Sequence, residues 1–128
     1  MNIKVDLSPG ELIDKITILE IKLEKISQPE KLDNVKREYG ILKGIIEKSI
    51  PASERLTALT TELKEINERL WKIEDEIRDC ERKKDFGQKF IELARSVYMN
   101  NDKRASVKRH INELLDSDIF EEKSYREY

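Results

Sequence analysis

Leu56, Leu59, Leu63, Ile66, Leu70, Ile73, Ile77 and Cys80 follow one another in alternating steps of three and four. A 3.5-residue repeat holds one stripe of a helix against a partner helix. It predicts a long helix from about Glu54 to Lys84, roughly 45 Å at about 1.5 Å per residue. No Pro or Gly interrupts this stretch. Ser53 is placed to cap its start, and Arg82, Lys83 and Lys84 complement the negative end of its dipole.

Upstream, Ile3, Val5 and Leu7 alternate with Asn2, Lys4 and Asp6, the pattern of a short extended arm with one face covered. Ser8-Pro9-Gly10-Glu11 reads as a helix start, with Ser8 as cap, Pro9 at the first helical position and Glu11 completing a capping box. The stripe Leu12, Ile16, Leu19, Leu23 and Ile26 forms the first helix, which stops near Ser27-Gln28-Pro29. Ser27 and Glu30 offer a second capping box, and Leu32, Val35, Tyr39, Leu42 and Ile46 mark a second helix that ends at Ile50-Pro51. Downstream of the long helix, Asp85 is the expected cap of a fourth helix carrying Phe86, Phe90, Leu93, Ala94, Val97 and Tyr98. Asn100-Asn101-Asp102 reads as an interruption, with Asp102 capping a fifth helix that carries Val107, Ile111, Leu114 and Leu115. Residues 118–128 are expected to form a turn of helix and a tail.

These elements predict an all-α domain over residues 1–128: an elongated antiparallel bundle of about five helices around the long central one, with an extended arm at 1–7. The seam outruns either of the first two helices and the arm has no strand to pair with, so a homodimer is expected. Composition agrees with long solvated helices. The chain is 41% charged with a net charge of −2, and it has only four Gly and three Pro. One Cys excludes an internal disulfide framework and suits a reducing compartment. The first residues lack the apolar run of a signal peptide, and no stretch approaches the roughly 20 apolar residues of a membrane span. A cytoplasmic location without membrane contact is expected. Balanced charge, with the acidic run Glu113 to Glu122 after the basic one, argues against a nucleic-acid surface.

The candidate chemistry centres on Lys103 to His110, where a helix N-terminus coincides with a cluster of cations. Arg104 shares the apolar face with Val107 and Ile111, and Lys108 stands one turn further along that side. A buried guanidinium must find an acceptor, either a carboxylate of this chain or an anion such as phosphate. Asn67, Trp71, Glu74 and Arg78 line a flank of the long helix, with Glu74 and Arg78 an i,i+4 pair. On the first helix, Asp14, Lys15, Glu20 and Lys22 interleave with a wide apolar arc, which places Lys15 and Lys22 to line a cleft. The candidate anion site is Arg104 and Lys108, with Asn101, Arg78, Glu74, Lys15 and Arg95 around them. His110 has no companions suited to zinc, and Cys80 falls on the seam as a small hydrophobe. No metal and no cofactor are expected, and no catalytic residue can be named.

Ser8 to Leu19, Leu70 to Arg78, Asn101 to Ala105 and Glu121 to Tyr125 together resemble an uncharacterised bacterial family of short helical proteins, a domain of unknown function. The resemblance implies an association with glycosyltransferase and tetratricopeptide proteins of surface-polysaccharide synthesis. The resemblance implies a family and transfers no activity. Two functional classes follow. One is a helical module for protein interaction or oligomerisation, since every strong signal is a seam for another helix. The other is a binder of a small anionic ligand, or an enzyme, using Arg, Lys and Glu in an interhelical pocket. All-helical chorismate mutases share that general layout, but their first-helix arginine has no counterpart before Leu12.

Overall fold

A computed structural model describes residues 1–128, in which four helices and no strands are found. Helix α1 spans Pro9–Lys25, capped by Ser8, whose Oγ accepts from the Glu11 amide at 3.2 Å. The reciprocal half of the capping box is not made, because the Glu11 carboxylate is drawn to Lys108 instead. Helix α2 spans Pro29–Ser49; its N-cap position is Gln28, not Ser27, and the Gln28 side chain makes no capping bond. A residue preceding proline is kept out of the helical region, and Gln28 is extended (φ −68°, ψ 122°), so the helix can begin only at Pro29.

Helix α3 spans Glu54–Lys83, with the Ser53 Oγ accepting from the Leu56 amide at 3.1 Å and Lys84 in the left-handed conformation that closes it. Helix α4 spans Gln88–Leu114 without a break, where two helices were expected. Its start is also later than expected: Asp85 accepts from the Gly87 amide at 3.1 Å, and Phe86 lies in the connecting turn, edge-on to Phe90. The Asn100-Asn101-Asp102 run continues the helix because nothing there breaks it. Asn and Asp cost well under about 1 kcal/mol each relative to Ala, and the Asn100 amide bonds back to the Ser96 carbonyl at 2.8 Å. Leu93, Val97, Asn100, Arg104, Val107 and Ile111 keep the alternation of three and four through the polar run.

The long helix is not the hub. It is α1 that packs against each of the other three helices, while α3 packs against α1 and α4, and α2 against α1 alone. The main core joins Ile13 of α1 to Leu56, Leu59, Leu63 and Ile66 of α3 and to Val107 and Ile111 of α4. A smaller cluster of Ile16, Leu19 and Val35 ties α2 to α1. The seam of α3 is therefore covered by the chain itself. Gly10 matters to this packing: a Cβ there would run into the Lys108 carbonyl oxygen and lie 2.8 Å from the Asn112 Oδ1. Gly10→Ala is expected to destabilise the fold by about 1–3 kcal/mol in urea denaturation. Gly40→Ala, where a Cβ meets open space, should stabilise it by up to about 1 kcal/mol.

Beyond α4 the chain turns back without forming a helix. It lies along α4 through the pairs Lys108–Glu121 (3.1 Å) and Arg109–Glu122 (3.2 Å) and the contact of Tyr98 with Tyr128. The arm before Ser8 has no covered face: Ile3 and Val5 are 79% and 74% exposed. Between Asp79 and Glu92, at the turn joining α3 and α4, Cys80 alone is buried.

Candidate functional site

Asp14 sits on the inner face of α1 between Ile13 and Thr17, where an apolar arc would otherwise run on, and is 1% exposed. Burying a carboxylate is costly unless charge and hydrogen bonds compensate it, and three helices converge to supply both. From α4, Arg104 grips it with two parallel bonds, Nε to Oδ1 at 2.9 Å and Nη2 to Oδ2. From α3, the Asn67 amide nitrogen donates to Asp14 Oδ1 at 2.9 Å and to Thr17 Oγ1 at 3.0 Å. Thr17 in turn donates to the Asp14 carbonyl at 2.8 Å. Hydrogen bonding to Asp14 outweighs burial and raises the Arg104 pKa above that of a free arginine.

One turn on, Lys108 reaches Glu11 at 2.7 Å, Glu121 of the C-terminal segment at 3.1 Å and Asp14 at 4.0 Å. Burial works against its ammonium, yet the hydrogen bonds to Glu11 and Glu121 and the Asp14 charge outweigh it and raise its pKa. The Gly10 amide donates to the buried Asn112 Oδ1 at 2.7 Å, which locks the start of α1 onto α4. Three carboxylates thus face two cations. Of the two acceptors expected for Arg104, the chain provides the internal one. No helix begins at Asp102, so no set of free amide groups accompanies these cations.

Beside this cluster, α1, α3 and α4 enclose an open groove of about 550 Å³. Ile18, Ile21, Leu70, Trp71 and Val97 are its apolar walls. Asn67 and Arg104 lie at its floor, and Glu74, Asp75, Arg78 and Asn101 at its rim. Glu74 and Arg78 pair with each other along α3 at 3.2 Å, one turn apart and largely exposed. Of the residues singled out in the sequence, Arg104, Asn101, Arg78 and Glu74 therefore come together. Lys108 lies in a separate recess with Ser8, Glu11 and Asn112. Lys15 and Arg95 are exposed and line neither.

The candidate site read from the sequence leaves out Asp14, the centre of the cluster, and Asn112. For Asp14 a signal was present: it is an acidic residue inside the broad apolar arc of α1, directly after Ile13 and two positions before Ile16. No group of three or more His, Cys, Asp or Glu side chains could hold a metal ion. No helix is long and apolar enough to cross a membrane.

Neither curated proteins nor solved structures give a significant match to the chain. The model of a family of unknown function (DUF6165) matches residues 3–128, and the chain belongs to that family.

Proposed function

We propose that this chain is a helical interaction module, located in the cytoplasm, that associates with a second copy of itself. The observation that carries this reading is surface. The chain exposes 9482 Å², whereas a compact monomer of 15.1 kDa is expected to expose about 7,100 Å². Part of the excess lies in the arm and the C-terminal segment. Apolar side chains are also left outside: Ile41 and Ile45 are 56% and 45% exposed on a flank of α2. Helix α2 packs on α1 alone, so its far side has no neighbour within the chain.

In this reading a second copy covers the flank of α2 and the apolar residues of the arm. The α3–α4 hairpin, with its heptad seam, gives the protein an elongated antiparallel coiled-coil body. The lone Cys80 is buried and free, which suits a reducing compartment. Light scattering at micromolar concentration tests the reading. A mass near twice 15.1 kDa is expected, and removal of residues 1–7 should lower it toward that of one chain while leaving the helical circular-dichroism signal unchanged. A mass of one chain for the intact protein would overturn it.

A further inference from the structure

The fold does not use up the hydrogen-bonding capacity at the floor of the groove between α1, α3 and α4. Asn67 is 5% exposed. Its amide nitrogen is committed to Asp14 and Thr17, which fixes the orientation of the carboxamide and leaves Oδ1 with no donor. No side-chain nitrogen or oxygen that is sealed from solvent lacks a partner, so this oxygen is reached from the groove that Asn67 lines. Arg104 likewise spends Nε and Nη2 on Asp14 and keeps Nη1 free. A buried acceptor and a donor thus stand side by side, both tied to the same Asp14 oxygen, beneath walls formed by Trp71, Leu70, Ile18, Ile21 and Val97.

Charge narrows the occupant. Arg104 is neutralised by Asp14 and Arg78 by Glu74, while Asp75 on the rim makes no ion pair. A phosphate or carboxylate entering the groove finds no uncompensated cation and meets an unpaired carboxylate. An apolar molecule would leave the Asn67 oxygen buried without a partner, which costs on the order of 1–3 kcal/mol. The occupant must be uncharged, flat on one face to lie against Trp71, and able to donate and accept along one edge.

We propose that this groove binds a small neutral heteroaromatic ring of the nucleobase type, its face on Trp71 and its edge donating to Asn67 Oδ1 and accepting from Arg104. The chain has a single tryptophan, so its emission reports on this groove alone. Titration of the intact protein with uracil should change that emission saturably. The doubly N-methylated ring, which keeps the face and loses both N–H donors, should bind about tenfold more weakly or worse, because it leaves the acceptor unpaired. Uridine monophosphate should bind no more tightly than uridine. The absence of a saturable change, equal binding of the methylated ring, or tighter binding of the nucleotide would each overturn the proposal, the last by making the groove an anion site.

Discussion

Arg104→Ala is expected to destabilise the protein by about 3 kcal/mol in urea denaturation, without any anion present. The substitution strands the Asp14 carboxylate, 1% exposed, and removing one partner of a buried pair typically costs about 3–5 kcal/mol. The lower end applies, since the Arg104 side chain retains 29% exposure and Lys108 stays within 4.0 Å of Asp14. Arg104→Lys should fall between the two, because an ammonium cannot reproduce the two parallel bonds. Adding Asp14→Ala to Arg104→Ala should cost less than the sum of the single changes, since neither charge is then left alone. Phosphate should raise the thermal midpoint of neither form. A rise in the native protein's thermal midpoint on adding phosphate that Arg104→Ala abolishes, or no loss of stability in Arg104→Ala, would contradict the internal pairing.

Ile66→Asp is expected to be more damaging, at about 4 kcal/mol or more, enough to unfold a domain of ordinary stability. Ile66 is 2% exposed in the cluster with Leu59, Leu63, Val107 and Ile111. The side chains of that cluster are all aliphatic. The adjacent Asn67 amide nitrogen is already occupied by Asp14 and Thr17. The comparison with Asp14 is instructive: the same side chain is accommodated at one position because an arginine and an amide converge on it, and excluded at the other because the surroundings are aliphatic. Loss of the helical circular-dichroism signal at room temperature would be the extreme form of the expected result, and an unchanged thermal midpoint would contradict the assignment of Ile66 to the core.

The helices were legible where one local signal ruled. The unbroken seam located α3 to within a residue of its end, and Ser8-Pro9 and Ser53 located two starts, because capping is decided by the residue itself. The polar run at Asn100 was misread as a stop. Its true content lay in register: Asn100 and Arg104 occupy seam positions, and a polar residue on a seam signals a partner across it, here Arg69 for Asn100 at 3.2 Å and Asp14 for Arg104. The sequence also showed that Arg104 needed an acceptor. It could not show which of 27 acidic residues would supply it, since Asp14 is ninety positions away and meets it only through the crossing of α1 over α3 and α4. The same crossing makes α1 the hub and covers the seam, which no periodicity within α3 could reveal.

Self-association through the flank of α2 is tested most directly by sedimentation equilibrium of the native chain beside Ile41→Glu/Ile45→Glu. Both side chains are exposed in the single chain, so the substitutions should leave its thermal midpoint nearly unchanged while placing charges in the shared face. The expected result is a native mass near twice 15.1 kDa and a variant mass near 15.1 kDa at the same micromolar concentration. A native protein that sediments as one chain, or a variant that still sediments as two, would contradict it.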